Sequence, residues 1–456
     1  MEAPTGDHAH GCADKGKIPL PERLSAKYRE SFAFDTVSGR LPVILTQVID
    51  TVYKYRKEAV ELHGQEGGED CKQIVSKLSA LKNYMQTDKP LALLKDSRSD
   101  VPQWNQYFEE ETKRCDGVAP SWFKSAWLYV ECYMYRAINE AIHLSKCLKD
   151  FDQFRHQKQA SLHSSQDAMV TLTAYLDQAV AEKGACFESF AEFVQISLWG
   201  NKCDLSISAG REQYQKLSPV AQLSSLQPKI LVNNLQNLWQ VLSIAGEAAK
   251  STTGKKVRLD VVLDNAGFEL FTDLVLVDFL FRTNLIKEAN LHMKAMPWFI
   301  SDVIRYDFDW TLDVLQGNVN DSITSLGQRF KQRVAEGTCI LQEHSFWTTY
   351  CEFSSMATVA PDLYAELSKA DLILFKGDLN YRKLVADRYW PHTTPFDEAL
   401  CGFHPAALCA LRTLKADVVV GLREGVAEQL GAANEKWMVT GEHAVIQFSG
   451  KTVESV

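Results

Sequence analysis

VRLDVVLDNAGFELFTDLVLVDFLFR (257–282) is the stretch on which the fold reading turns. VRLDVVL (257–263) is an apolar, β-branched run of strand length, and LFTDLVLVDFLFR (270–282) is long and apolar enough for a buried helix. Between them lies the polar turn DNAGFE. The same order recurs downstream. ANLHMKA (289–295) leads through MPWFISD to a helix expected over 307–316, and DLILFK (371–376) leads through GDLN into the helical YRKLVADR. LCALRT (408–413) and the valines at 418–420 read as further strands. Strand, loop and helix in alternation predict an α/β fold with an open, largely parallel sheet. Such sheets bind ligands at the carboxyl ends of their strands.

The half that precedes this stretch reads as helical. Residues 41–64 place Ile44, Val48, Val52 and Tyr55 at three- and four-residue steps, and 71–86 repeat the pattern with Ile74, Leu78 and Leu81. An aromatic-rich helix is expected over 121–148 and two more over 166–200. No β-alternation stands out before about residue 228. The Ser- and Gln-rich residues 206–227 read as a connector. The organisation expected is therefore a flexible tail (1–22), a helical domain (23–205), the connector (206–227) and an α/β domain (228–456).

Bulk properties narrow the function. At about 150 residues per domain, 456 residues allow two or three domains. Hydrophobic residues are 46% and charged residues 23%, ordinary for a chain with a buried core. No apolar run is long enough to cross a membrane, and the first residues, MEAPTGDHAHGCADKGK, lack a secretory apolar region. The eleven cysteines are odd in number and form no CxxC pair, which suits a reducing compartment. These features favour the cytoplasm, with the nucleus also open. A net charge of −9 disfavours direct contact with nucleic acid and means that an anionic substrate needs a metal or a few placed cations. Nothing points to an obligate assembly, so a monomer is expected.

Asp264 and Asn265 follow the first strand directly, and a carboxylate beside an amide oxygen is a hard donor pair suited to magnesium or manganese. Asp302 follows the next strand and would complete a two-carboxylate site. The plainer alternative is that all three cap helices, since Asp and Asn are favoured there. In LFKGDLNYRK (374–383) the glycine turn exposes backbone N–H groups to an oxyanion, with Arg382 or Lys383 adding charge and Asp378 and Asn380 free for hydroxyls or water. Lys415, after a fourth strand, would give a phosphate a compact positive charge. The fingerprints of nucleotide loops, GxSxG hydrolases and HExxH metalloproteases are missing. His8, His10 and Cys12 lie in the tail and read as chance neighbours.

LDNAGFEL, PWFISD, LFKGDLNYRK and RTLK, with SLWGNKCDLS (197–206), resemble the motifs of the damage-control phosphatases of the protein-glutamate-methyltransferase-like group. The likeness runs from about residue 31 to 450, and Arg412-Thr413-Leu414-Lys415 matches the RTxK mark of one subgroup. It implies an all-helical N-terminal domain and a Rossmann-like αβα sandwich. Asp264, Asn265 and Asp302 would then be metal ligands and catalytic residues, with manganese, cobalt or nickel preferred and magnesium allowed. Substrate would meet Asp264, Asn265, Asp378, Leu379, Asn380, Tyr381, Arg382 and Lys415, and Asn201, Asp204 and Arg412 would stand nearby. The expected substrates are small phosphorylated sugars such as fructose 1-phosphate and fructose 6-phosphate. Direct hydrolysis is the expected course, because no DxD pair offers an aspartyl-phosphate. The resemblance also carries an alternative, S-adenosyl-L-methionine-dependent O-methylation of protein glutamates, linked to the DNA damage response. Glu269 and Asp302 would then touch the methyl donor, and proteins would be the acceptors. A third possibility is a non-catalytic interaction module.

Overall fold

In a computed structural model the protein is described over residues 19–200, 219–251 and 256–450. Seven strands form one sheet: β1 (Ile230–Asn233), β2 (Arg258–Val262), β3 (Glu288–Met293), β4 (Cys339–Glu343), β5 (Leu372–Lys376), β6 (Leu408–Thr413) and β7 (Ala444–Ser449). Their order across the sheet is β1-β7-β6-β5-β2-β3-β4, and only the β6–β7 pairing is antiparallel. From β2 the chain winds one way through β3 and β4 and the other way through β5 and β6. The winding reverses between β2 and β5, and such a reversal opens a crevice at the carboxyl ends. Asp264 and Gly377 follow those two strands.

Both faces of the sheet are covered, which is why its central strands are continuously apolar. Ile373 and Phe375 face one core, which includes side chains from Leu24 to Phe154; Leu372 and Leu374 face the other, which includes Leu162 to Trp199 and the Phe268–Arg282 helix. Helices before residue 228 thus contribute to both cores, and the apolar packing does not divide at the expected domain boundary.

The helical half follows the sequence reading with two adjustments. Residues 41–64 and 71–86 lie in one long helix, Leu41–Gln86, broken at Gly64 (φ 67°). The expected helix over 121–148 is shorter, Trp127–His143. At its start Trp127 N donates to Leu24 O (2.8 Å), and beyond its end the Asp70 carboxylate accepts from Lys146 N (3.0 Å) and Cys147 N (2.7 Å). Those tertiary bonds compete with another helical turn. The pair expected over 166–200 is Gln166–Glu182 and Phe187–Leu198. Most of the expected connector lies outside the described residues, and its last part is the helix Pro219–Leu226.

Residues 418–420 are not a strand. Their backbone is satisfied by side chains: Gln447 Nε2 donates to Val420 O (2.7 Å), Val420 N donates to Tyr381 Oη (3.2 Å), and Arg412 donates to Val418 O. β1, β4 and β7 were not anticipated. β1 and β4 are the sheet edges, and their mixed burial gives them no long apolar run.

One buried ion cluster fastens the helical half. Arg136 donates to Asp96 (2.6 and 3.0 Å) and to Asp100 (2.7 and 2.9 Å), all three essentially fully buried. Burial pushes the Asp96 carboxyl up, but the Arg136 bonds outweigh it and hold it below the usual range. A lowered carboxyl stabilises the fold above its unfolded pKa of about 4, and that stability is lost as pH falls through the folded value. Arg136→Met is expected to cost about 3–5 kcal/mol at neutral pH, because two buried carboxylates lose their cation. Urea unfolding measures this, and the gap from wild type should narrow below about pH 4. A loss under about 1 kcal/mol, as at a surface pair, would contradict the assignment.

Candidate functional site

The loops after β2 and β3 pair before their side chains meet. Val303 N donates to Asp264 O (2.8 Å), Ala266 N donates to Ser301 O (2.7 Å), and Asn265 and Asp302 form an isolated antiparallel bridge. This backbone lock brings Asp302, distant in sequence, to the adjacent pair Asp264 and Asn265. Asn265 Nδ2 donates to Asp264 Oδ2 (2.8 Å) and to Glu269 Oε2 (2.7 Å), and the Ser301 hydroxyl donates to Asn265 Oδ1. Asp302 pairs with Lys294 Nζ at 3.0 Å. The loop after β5 closes on the same point. Gly377 has φ 86°, and a Cβ there would stand 1.8 Å from Asp264 Oδ2. Only glycine allows this approach.

The capping alternative does not describe these residues. The helix after β2 starts at Phe268, its cap position is Gly267 (φ 72°), and no side chain bonds the cap. The helix after Asp302 starts at Arg305, and its first turn is closed by Asp307 accepting from Ile304 N (3.0 Å). Asn265 instead bonds the Asp264 carboxylate, and Asp302 pairs with Lys294 beside them.

Asp264, Asn265, Glu269 and Asp302 are all buried. Burial, then the Glu269 and Asp302 carboxylates, push the Asp264 carboxyl well up, against the opposing charges of Lys294 and Lys415. Burial also raises Asp302, opposed chiefly by Lys294. Such crowded hard oxygens hold more negative charge than their surroundings neutralise, which is the condition a divalent cation relieves. Among the described residues no three His, Cys, Asp or Glu side chains are placed as a metal cluster; the set here is two carboxylates and an amide.

The rest of the expected substrate loop divides in two. Asp378 accepts from Arg412 Nε (2.7 Å) and from Lys415 N (3.1 Å). Burial alone would raise its carboxyl, but Arg412 holds it below the usual range, so it stays ionised. Asn380 Nδ2 donates to Lys376 O (2.7 Å). Leu379 is core. Tyr381 Oη donates to Gln447 Oε1 (2.8 Å). Arg382 is bound by Asp387 (2.8 and 2.9 Å) and Glu131 (2.6 Å) and lies 3.6 Å over Trp127. Arg412 spends its remaining donors on Ala416 and Val418 carbonyls and stacks on Tyr381 at 4.2 Å. The half-buried Lys415 side chain has no ion pair among the described residues. Asn201 and Asp204 lie outside the described residues.

Sequence reasoning passed over three buried groups, Lys294, Lys376 and Asp273, and expected Lys383 to add charge at the oxyanion loop, where it is instead buried. Lys294 donates to Leu263 O (3.1 Å) and forms an ion pair with Asp302 (3.0 Å). Lys376 Nζ contacts Asp273 Oδ1 (2.7 Å), Ser197 Oγ (2.9 Å) and Glu269 Oε1 (3.5 Å). Burial lifts Asp273 to about 6 despite Lys376. Lys383 donates to the Thr349 and Trp347 carbonyls (2.7 and 3.2 Å), and burial lowers it to about 8. The available signal was their place: Lys294 and Lys376 each close an apolar strand run, where a solvated lysine has no reason to recur. A cavity of about 460 Å³ opens elsewhere, lined by Arg23, Tyr107, Tyr129 and Tyr350, and shares no residue with this site.

Comparison with known proteins agrees with the motifs. The model of the damage-control phosphatase ARMT1-like domain matches residues 36–430. The damage-control phosphatase ARMT1 of Danio rerio is 47% identical over 441 residues, covering 95% of this chain and 98% of its own. That of Mus musculus is 47% identical and that of Homo sapiens 42%, each covering 94% of this chain and 99% of its own. A DUF89 family protein from Pyrococcus horikoshii superposes over 78% of this chain and 92% of its own at TM-score 0.38 and 14% identity, too loosely to bear on the site. With a family model spanning most of its length and such identity sustained end to end, the chain belongs to the damage-control phosphatase ARMT1-like family.

Proposed function

We propose that this phosphatase hydrolyses small phosphorylated sugars, such as fructose 1-phosphate and fructose 6-phosphate, with a divalent cation held by Asp264, Asn265 and Asp302. The observation that carries the reading is the convergence of those buried oxygen donors beside one cation, Lys415, that lacks a carboxylate partner among the described residues. Manganese, cobalt or nickel would suit the donors, with magnesium admissible. When bound, the cation supplies charge that polarises the phosphoryl group and acidifies water.

The chain's own groups do the rest. Lys415 meets the phosphate as a flexible point charge. Asp378 accepts from Lys415 N and so sets where that side chain starts its reach. The first backbone N–H groups of the Gly377–Leu384 helix have no intrahelical partners and face developing negative charge. Arg382, Arg412 and Tyr381 hold these elements in place. Asp302, fixed by Lys294, is the better placed of the two candidates to orient the attacking water, since Asp378 is taken by Arg412. Glu269 is engaged by Asn265 and Lys376, which favours a part in this site over contact with a methyl donor.

Chelator-stripped protein should release phosphate from fructose 1-phosphate only after manganese is restored, and Asp264→Ala should reduce that turnover to background. Undiminished release by the variant, or full activity without any divalent metal, would defeat the reading. Saturable S-adenosyl-L-methionine binding without phosphate release would favour methyl transfer instead. The glycine contact offers an independent check. Gly377→Ala and Gly402→Ala both place alanine at positive φ, 86° and 87°, a cost of about 1–2 kcal/mol each. Only the first drives a methyl into Asp264, since nothing lies within 4 Å of a Cβ at Gly402. Steady-state assays should therefore find Gly377→Ala inactive and Gly402→Ala near wild type.

A further inference from the structure

An asparagine ligand has two unlike ends. Oδ1 can meet a cation, whereas Nδ2 turned into its place would repel one. Something must decide which end faces the site. The Ser301 hydroxyl marks the oxygen end, and two acceptors take Nδ2: Asp264 Oδ2 at 2.8 Å and Glu269 Oε2 at 2.7 Å. Asp264 belongs to the ligand set itself, so its oxygen is shared once a cation is present. Glu269 is the Nδ2 partner outside that set.

Glu269 is well held. It sits in the first turn of the Phe268–Arg282 helix, and its Oε1 faces Lys376 Nζ at 3.5 Å. Lys376 is fully buried and is fixed by Asp273 Oδ1 (2.7 Å), Ser197 Oγ (2.9 Å) and the Ser197 carbonyl. The chain also packs against Glu269 from the other side. A Cβ on Gly200 would lie 3.3 Å from Glu269 Cγ and 2.5 Å from Thr272 Oγ1. A carboxylate so placed, with a cation behind it and an amide in front, has one orientation open to it.

We propose that Glu269 is a positioning residue that turns the Asn265 amide with its oxygen toward the cation site, and that Lys376 holds Glu269 to that task. The proposal rests on the reading of Asp264, Asn265 and Asp302 as metal ligands. It makes a distinctive demand. A carboxylate in place of the amide has two equivalent oxygens and needs no orienting.

The test is a double-substitution cycle read by manganese binding, measured by calorimetry on the chelator-stripped full chain. Glu269→Ala should weaken binding about 10–100-fold, as is usual for partners that orient a ligand. In a chain that also carries Asn265→Asp, the same substitution should leave binding within about threefold or tighten it, because a neighbouring like charge is removed. Lys376→Met should follow the same pattern, weakening binding beside Asn265 and not beside its replacement. Thermal melts of the metal-free proteins check folding, and if Lys376→Met does not fold, the Glu269 cycle alone decides. Equal losses in both backgrounds, or no loss from Glu269→Ala alone, would overturn the proposal. Absence of manganese binding by the wild type would instead remove the ligand reading beneath it.

Discussion

Negative charge buried at the carboxyl end of β2 is the constraint that organises this molecule. Asp264, Glu269 and Asp302 lie together out of water, and burying an unbalanced carboxylate is costly. Lys294 answers Asp302 and Lys376 answers Glu269 and Asp273. Lys376 ends β5 and Lys294 directly follows β3, so the sheet delivers cations to the place where the loops deliver carboxylates. Asp264 is left without a direct cationic partner among the described residues, and its carboxyl is raised. Four buried carboxylates thus face two paired lysines.

That arrangement explains why the helical half cannot be an appendage. The Trp127–His143 helix holds the loop that presents Asp302: Tyr135 stacks on Phe299 at 4.5 Å, and Asn139 Nδ2 donates to Pro297 O (2.9 Å). Phe299 and Ile300 adopt positive φ, 42° and 70°, which a β-branched residue does only when its surroundings impose it. On the other face Lys158 bridges Asp152 and Asp307, and a Cβ at Gly267 would strike Ser161. The helices thus supply both the strain and the desolvation that the strand-end loops could not sustain alone.

The sequence disclosed what depends on local order. β2, β3, β5 and β6 were legible as apolar runs; Asp264 and Asn265 stand out because they follow one run directly, and Asp302 because it follows another through MPWFISD. The capping alternative could not be dismissed from spacing, since the deciding fact is the positive φ of Gly267 at the cap position. Lys376 carries no signal of its own in LFKGDLNYRK, because its partners Ser197 and Asp273 come from other elements. The valines at 418–420 misled for a similar reason: their apolar character is real, but side chains of Gln447, Tyr381 and Arg412 complete their backbone in place of a ladder.

The basic residues of the site divide by chemistry. Arg382 and Arg412 have planar forks that can satisfy several fixed acceptors at once, and both are spent inside the protein: Arg382 on Asp387 and Glu131, Arg412 on Asp378 and two carbonyls. A guanidinium so engaged cannot also follow a substrate. Lys415 stands three residues after Arg412, its backbone N–H bound to the Asp378 that Arg412 holds. The arginine therefore fixes the base from which the lysine reaches, and the lysine keeps the freedom that the proposed phosphate contact requires. Arg-Thr-Leu-Lys is in this sense one device, with rigidity at its first residue and charge at its last.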